Sequence, residues 1–540
     1  MNIRQIIPML GIAGLLQAMP LTAIAQEPAT NVETTADGKR LHTIQKGETL
    51  YSLTKRYGVT AKEICDANPG LSAENFKIGT VILIPLAKPS AVQVDEDDDD
   101  DDVQPVEGLA GSNCKEMHKV KRKETLFSIA QKYGISLSEL QNANPETLKE
   151  GFQLKKKMIL CIPYPKKVKE TVPEAVPTNE ELFRQSRPKS EGLQSIRMGV
   201  ILPLKGKTSQ SERMLDFYRG MLMAVDSLKQ RGLSFEIYTF DAGTTAADLQ
   251  KILDRPILPM LDILFGPTDP TQIKTVSQFA SKHNIPMVIP FHSKSSEVGS
   301  NSRFFVLNAP DSVQNNESAT LFKTLFSGCN LLLVETGLTT NSLIPRLRQD
   351  FTEVRFAQLP ITESVLLSRL DKERQNVILL STSDMKSFNI FMPTLRSVLT
   401  NHPELRVKLV GYADWLSYSS TSFLNDLYKA DTYILSPFFL DTQSPFYKRM
   451  AGRFYQNFGS EMQSGTPRMA VYGYDCALYF LQGLALYGKN FSTQHVAARP
   501  LQNHFHMQRV SNWGGLVNRH MQMVHFSPNR TIELIEKNAK

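Results

Sequence analysis

Four histidines in the last part of the chain come closest, by type and spacing, to residues that could support metal chemistry. His504 and His506 are two positions apart, so a strand would place both imidazoles on one face, and His520 and His525 follow. A protein zinc site needs three or four ligands, and carboxylates or thiolates often complete the set. The sequence shows no clear third ligand. We therefore predict no metal site and no cofactor.

Motifs for covalent or phosphoryl-transfer chemistry are missing from the sequence. It contains no His-Glu-x-x-His, no Gly-x-Ser-x-Gly and no P-loop. Ser383 to Lys386 and Ser186 to Lys189 both spell Ser-x-x-Lys, but the partner motifs of penicillin-binding proteins are absent. Chance explains two such matches in 540 residues. We predict that the protein is not an enzyme.

Length and composition indicate a multidomain globular protein. A chain of 540 residues suits roughly three to five domains, and 41% hydrophobic with 21% charged residues can bury several cores. The net charge of +7 combines one very acidic patch with a basic remainder. This balance gives no reason to expect a nucleic acid partner.

Residues 1–25 have the three parts of a secretory signal peptide. Arg4 supplies positive charge, an apolar run extends from Ile6 to Ile24, and Ala23-Ile24-Ala25 is a small-x-small cleavage site. An uncleaved membrane anchor is the alternative, although prolines interrupt the run. No other stretch reaches the roughly 18 apolar residues of a spanning helix. We expect an exported protein.

Two segments have the composition of linkers. Residues 87–113 contain eight adjacent carboxylates, Asp95 to Asp102 with Glu96 among them, which repel one another and cannot pack. A calcium site is the alternative, but the interleaved glycines and distal glutamate of an EF-hand loop are missing. Residues 165–194 are rich in Pro, Lys and Glu, which predicts a semi-rigid, solvated linker.

An internal repeat lies on either side of the acidic segment. The sequence from His42 to Leu53 recurs 76 residues later, and both copies continue through Tyr-Gly and Ala-Asn-Pro to Ile-Pro. Each copy of about 45 residues reads as a short strand, two short helices and a closing apolar strand. The predicted βααβ modules are residues 41–86 and 114–164.

Both copies resemble LysM modules, which bind the N-acetylglucosamine units of peptidoglycan or chitin. The Glu-Thr-Leu helix start, the Asn-Pro and the final Ile-Pro carry the resemblance. It implies a shallow groove between the first strand–helix loop and the loop before the last strand. The glycan-binding positions that it implies are Gly47, Glu48, Thr49, Leu50, Phe76, Lys77 and Ile78 in the first copy, and Lys123, Glu124, Thr125, Leu126, Phe152, Gln153 and Leu154 in the second.

The second copy departs from this pattern. Lys123 stands where the first copy has Gly47, and lysines 155–157 fill the turn that contains Gly79 in the first copy. Glycine allows a ligand to approach the backbone closely, so the first module is the better candidate for glycan contact. As an alternative to a ligand contact, Leu50 and its equivalents form the module core.

The five cysteines indicate one disulfide. Cys114 precedes the first strand of the second module and Cys161 lies in its last strand, and these strands should be neighbours. We expect Cys65, Cys329 and Cys476 to be buried small hydrophobic residues. No Cys-x-x-Cys spacing supports zinc or redox chemistry.

From residue 196 to 540, apolar strands alternate with amphipathic helices, which predicts two doubly wound α/β lobes. This part resembles the type I periplasmic binding fold of branched-chain amino-acid binding proteins. The strand 198–204, Gly266-Pro-Thr-Asp, the helix 472–480 and the turn 513–518 carry the resemblance. It implies lobes built from discontinuous segments with a ligand cleft between them.

The predicted cleft residues follow strand carboxyl ends in the two lobes. As an alternative, such hydroxyls and carboxylates cap helices. The residues are Thr268, Asp269, Ser293 and Ser295 in the first lobe, and Thr336, Asn341, Ser383, Asp414 and Trp415 in the second.

Two functions are compatible with these patterns. In the first, the modules tether the large domain to the cell wall through peptidoglycan, with the linkers as a flexible tether, and the large domain regulates or scaffolds a cell-envelope protein partner. In the second, the protein is a wall-tethered receptor for a small molecule such as an amino acid or muropeptide. We favour the scaffold and expect a periplasmic, wall-associated protein.

Overall fold

The computed structural model describes residues 32–34, 40–86, 114–121, 124–135, 137–144, 154, 157–163, 176–187, 191–206, 208–338 and 341–536. The chain divides into two compact units, Met1–Leu86 with Asn179–Lys540, and Ala87–Thr178. The predicted signal peptide and acidic segment lie outside the described residues. None of the helices in the described part of the chain has the length and hydropathy that a bilayer-spanning segment requires.

The first module is a βααβ unit with an added edge strand. Thr49 begins its first helix by accepting a hydrogen bond from the Ser52 N–H, and Gly58 ends that helix in the left-handed conformation at φ 65°. The elements are β1 (Val32–Thr34), β2 (Arg40–Thr43), α1 (Leu50–Tyr57), α2 (Ala61–Ala67) and β3 (Val81–Ile84). Strands β2 and β3 pair antiparallel, and the two helices pack on them around a small apolar core.

The second module repeats this arrangement in the other compact unit. Its strands also pair antiparallel. A disulfide joins Cys114 and Cys161, the pair suggested by the sequence, with their Cα atoms 5.4 Å apart. Cys65, Cys329 and Cys476 are free and buried. The elements are β4 (Cys114–Lys119), α3 (Leu126–Tyr133), α4 (Leu137–Asn142) and β5 (Ile159–Pro163).

A helix occupies part of the segment that we expected to be a solvated linker. Helix α5 (Asn179–Ser186) buries Phe183 against the first module. The surrounding Pro, Lys and Glu residues dominate the composition of 165–194 and conceal this short amphipathic stretch. The linker description therefore does not apply to the helix.

The large domain contains the remaining strands and helices. Its strands are β6 (Ser195–Leu202), β7 (Ser234–Asp241), β8 (Ile263–Phe265), β9 (Met287–Ile289), β10 (Phe304–Val306), β11 (Asn330–Glu335), β12 (Val354–Gln358), β13 (Asn376–Leu380), β14 (Val407–Tyr412), β15 (Thr432–Ser436), β16 (Met507–Arg509), β17 (Leu516–Asn518), β18 (Gln522–Phe526) and β19 (Ile532–Glu536). Its α-helices are α6 (Ser209–Lys229), α7 (Ala246–Leu253), α8 (Pro270–Lys282), α9 (Asp311–Phe326), α10 (Leu343–Asp350), α11 (Glu363–Arg369), α12 (Met385–Asn401), α13 (Thr421–Lys429), α14 (Pro445–Phe458) and α15 (Met469–Tyr487).

These strands form two seven-stranded sheets, one in each lobe. The first has the order β16-β17-β10-β9-β8-β6-β7 and the second β12-β11-β13-β14-β15-β18-β19. Neighbours are parallel except for the pairs β16–β17, β15–β18 and β18–β19. Because the late strands β17 and β18 join different sheets, both lobes are discontinuous. The structure confirms the two-lobed α/β fold.

Two glycines allow the long helices α6 and α15 to pack closely. A Cβ on Gly220 would lie 1.8 Å from the carbonyl oxygen of Ala470, and one on Gly473 would lie 1.9 Å from that of Phe217. We expect Gly220→Ala to lower the free energy of unfolding by about 1–3 kcal/mol, because the helices must separate. Chemical denaturation measures this change. The control is Gly452→Ala on the exposed face of α14, where a Cβ meets nothing within 4 Å and should not destabilise.

Candidate functional site

The two loops of the predicted glycan groove lie side by side in the first module. The Ile44 N–H donates to the Thr80 carbonyl, and the Gly79 N–H donates to the Ile44 carbonyl, each at 2.9 Å. Gly47 is exposed with φ 85°, a conformation that side chains disfavour. Lys77 and Ile78 are also exposed, and Ile78 keeps 65% of its surface. Backbone and side chains at this edge are therefore accessible to a glycan.

The Glu48 side chain stabilises the loop between strand β2 and helix α1 through hydrogen bonds and an ion pair. It accepts a hydrogen bond from the Gln45 N–H at 2.8 Å, lies 2.7 Å from His42 Nε2 and pairs with Arg56. Burial opposes ionisation of Glu48, but these hydrogen bonds outweigh it and hold its pKa below the ordinary value. Tyr57 contacts the other nitrogen of His42 at 3.0 Å. Glu48 thus connects strand β2, the following loop and helix α1.

The second module repeats this network. Glu124 accepts a hydrogen bond from the Lys121 N–H at 2.7 Å and lies 2.8 Å from His118 Nε2, while His118 Nδ1 contacts the Tyr133 hydroxyl. The hydrogen bond from Lys121, followed by that from His118, lowers the pKa of Glu124. The LysM resemblance implied glycan contact for both glutamates. The structure uses them as supports for the loop.

Among the other predicted groove residues, the threonines are exposed and the leucines pack in or against the module cores. Thr49 and Thr125 are exposed and cap their helices, whereas the Leu50 side chain is fully buried in the module core. Leu126 and Leu154 pack against the core of the second module. Lys123, Phe152 and Gln153 lie outside the described residues.

Helix α5 binds two of the groove positions in the first module. The Leu50 N–H donates to Asn179 Oδ1 at 2.9 Å, and Phe183 contacts Phe76 edge-on with ring centroids 6.0 Å apart. Phe76 is only 8% exposed. A backbone donor that the family resemblance assigned to the glycan therefore already has a partner within the chain.

The first module is also hydrogen-bonded to the large domain. The Gly70 N–H donates to the Asn512 carbonyl at 2.8 Å, and Asn512 Nδ2 donates to the Val81 carbonyl at 2.9 Å. Arg187 donates to the Asn68 carbonyl at 2.9 Å. These contacts replace the expected flexible tether with a docked module.

The predicted cleft residues of the first lobe follow strands β8 and β9. Asp269 caps helix α8 by accepting a hydrogen bond from the Thr271 N–H at 2.8 Å. Thr268, Ser293 and Ser295 are half-buried in these loops. The structure brings them to the carboxyl ends of the strands, and for Asp269 it shows the capping role.

In the second lobe, one predicted cleft residue needs correction. Trp415 is fully buried, and its Nε1 donates to the Ser383 carbonyl at 3.0 Å. Its ring packs edge-on against Phe388 with centroids 4.8 Å apart, so it belongs to the core of this lobe and does not line a cleft. Asp414, by contrast, is exposed.

Of the three remaining second-lobe residues, Ser383 is half-buried, and Thr336 and Asn341 are held by local hydrogen bonds. Asn341 Oδ1 accepts from the N–H of Leu343, the first residue of helix α10, at 2.8 Å. The Thr336 hydroxyl lies 3.2 Å from that of Ser381. A cavity of about 240 Å³ includes Pro290 and Phe438 in its lining but none of the nine predicted cleft residues.

Comparison with known protein families identifies the two small modules. Residues 42–85 and 118–163 match the LysM domain family. None of the curated protein sequences compared with the chain matches it. Among solved structures, an ABC transporter substrate-binding protein from Desulfitobacterium hafniense is 13% identical, with a TM-score of 0.37 over 63% of this chain and 100% of its own.

Two further solved structures show the same level of similarity. LivJ from Streptococcus pneumoniae, in complex with isoleucine, is 14% identical, with a TM-score of 0.34 over 63% of this chain and 99% of its own. LpoA from Haemophilus influenzae is 14% identical, with a TM-score of 0.41 over 64% of this chain and 60% of its own. The two modules of this chain thus match the LysM family, and the domain that follows them has two lobes, each with a seven-stranded sheet.

Proposed function

We propose that this protein is a non-catalytic, peptidoglycan-binding protein of the cell envelope, in which the large domain is a scaffold or regulator for a protein partner. The two LysM modules carry the first part of this proposal. Gly47, Lys77 and Ile78 form an accessible loop edge in the first module, suited to the N-acetyl groups of a glycan chain.

The contacts and burial of the predicted cleft residues favour a scaffold over a solute receptor. Asp269 caps helix α8, Asn341 accepts a hydrogen bond from the first residue of helix α10, and Trp415 is buried, so three of the predicted ligand contacts already have structural roles. A solute receptor needs a concave pocket whose polar groups converge on the ligand, and polar groups that are already bound within their own lobe are less suited to that role. Docking of the first module also gives the large domain a fixed position relative to a bound glycan strand, which suits a scaffold.

Co-sedimentation with purified sacculi tests the wall-binding part. We expect the mature chain from residue 26 to sediment with sacculi, and removal of residues 26–164 to abolish this. Because the first module is docked, a milder variant, Ile78→Asp, should weaken its contribution without disturbing the core. The matched control is Leu338→Asp, on an exposed leucine of the second lobe.

The outcomes distinguish the modules. Loss with Ile78→Asp assigns binding to the first module, and loss only on deletion of residues 114–164 assigns it to the second. Undiminished sedimentation after removal of both modules would refute wall binding through LysM. A thermal-shift screen with amino acids and muropeptides tests the other part, because strong stabilisation by one solute would replace the scaffold with a receptor.

A further inference from the structure

Two histidines and a glutamate meet where the chain crosses between the lobes. One potential ligand atom from each of His504, His520 and Glu536 lies within 4.8 Å of the other two. His504 Nδ1 is 3.2 Å from Glu536 Oε1, and the two imidazole rings stack with centroids 5.0 Å apart. The glutamate is the third ligand that the sequence analysis did not find.

The fold brings these residues together from three separate segments. His504 follows Asn503, which forms a β-bridge with Phe438. His520 lies in the connection between β17 of the first sheet and β18 of the second. Glu536 is the last residue of β19, where it pairs with Gln522 of β18. The cluster therefore joins the interlobe connection to the last described strand.

Buried polar atoms around the cluster have no hydrogen-bond partner among the described residues. These atoms are Nε2 of His520, both polar side-chain atoms of Gln522 and Nε of the neighbouring Arg519. Leaving a buried donor or acceptor unpaired costs about 1–3 kcal/mol, so native proteins rarely do so without a bound water or ion. The cluster also borders a cavity of about 350 Å³, which gives an ion and its water an open side.

We propose that His504, His520 and Glu536 bind a divalent transition-metal ion, Zn²⁺. Two imidazoles and one carboxylate form a donor set for zinc, whereas Ca²⁺ and Mg²⁺ need oxygen ligands. Metal–ligand bonds of about 2.0–2.1 Å place tetrahedral ligands roughly 3.3 Å apart. The 3.2 Å between His504 Nδ1 and Glu536 Oε1 is close to this value, and the ligand atom of His520 lies within 4.8 Å of both.

The charges near the cluster are compatible with a cation. Arg519, the basic side chain that also borders the cavity, is paired with Glu317 at 2.5 Å and donates to Gln508 at 2.8 Å. Its charge is therefore neutralised locally. The cavity gives room for a water as the fourth zinc ligand, and its lining also includes His506. The ion would fasten the end of β19 to the interlobe connection.

Zinc titration of the tag-free mature chain, after treatment with a chelator, tests this proposal. We expect one equivalent of Zn²⁺ to bind in competition with a chromogenic chelator. His520→Ala and Glu536→Gln should each weaken binding by about 100-fold or more, since each removes one of three protein ligands. In the Co²⁺-substituted protein, we expect the visible absorption of a tetrahedral site.

The matched control is His495→Ala, which removes a histidine from the same cavity but not from the cluster, and it should bind Zn²⁺ like the native chain. All variants retain the acidic segment 87–113, so its carboxylates contribute equally to every titration. Circular dichroism checks that each variant folds. Failure of the native chain to bind one equivalent, or equal affinity in the Glu536→Gln variant, would overturn the proposal, independently of glycan binding.

Discussion

Phe183→Ala should destabilise the docked first module by about 3–5 kcal/mol, the cost of removing a buried phenylalanine ring. Phe183 is 6% exposed, packs edge-on against Phe76 and lies beneath the Arg187 guanidinium. Its loss leaves a cavity between helix α5 and the module. Because α5 also provides Asn179 to the Leu50 N–H, we expect the helix to detach and its own residues, 179–186, to become sensitive to protease.

Limited proteolysis followed by mass spectrometry, together with chemical denaturation, measures this effect. Phe446→Ala is the matched control, because Phe446 in helix α14 keeps 66% of its surface exposed and should tolerate truncation. Equal protease resistance in the Phe183→Ala variant and the native chain would show that docking depends on other contacts, such as those of Asn512.

Asp475→Ala should also be severely destabilising, by about 3 kcal/mol or more. The carboxylate lies in helix α15, is 1% exposed, and accepts hydrogen bonds from the backbone N–H groups of Leu501, Gln502 and Asn503 at 2.7–2.8 Å. Alanine would leave three donors unpaired, at about 1–3 kcal/mol each when they stay buried. Thermal and chemical unfolding measure the loss.

Asp475 also predicts a pH dependence of stability. Burial raises its pKa to about 7, and the three backbone hydrogen bonds only partly offset this. Between about pH 4 and pH 7 the folded state keeps a proton that the unfolded state releases. The free energy of unfolding therefore falls as pH rises through this window, by on the order of 4 kcal/mol in total.

Asp475→Asn isolates this contribution, because asparagine does not titrate. Other groups titrate equally in both proteins, so the difference between their unfolding free energies should change across the window and level off at either end. A difference that stays constant from pH 4 to pH 8 would show that Asp475 is ionised throughout.

The modules and the fold class were predictable because their signals are local. A threonine cap, a glycine that ends the helix and an Asn-Pro each act within a few residues, and the repeat shows them twice. Alternation of apolar strands with amphipathic helices likewise requires only periodicity. The pairing of Cys114 with Cys161 followed from the expected neighbourhood of two strands.

Trp415 and Glu48 show where local reading is insufficient. Both occur at positions that the family resemblance assigns to ligand contact, but the direction of a side chain depends on what packs around it. Trp415 packs in the apolar core of the second lobe, and Glu48 binds a histidine and an arginine of its own module. Residue type and spacing predict a position in a loop, but they do not determine the direction in which the side chain points.

The sequence by itself thus determined two LysM modules and a two-lobed α/β domain. Only the tertiary structure decided that the first module docks through Phe183 and Asn512, and that Glu536 joins His504 and His520. The reason is physical: helix caps and hydrophobic periodicity act between near neighbours along the chain. Docking and ligand clustering depend on contacts between distant segments, and only the folded chain brings those together.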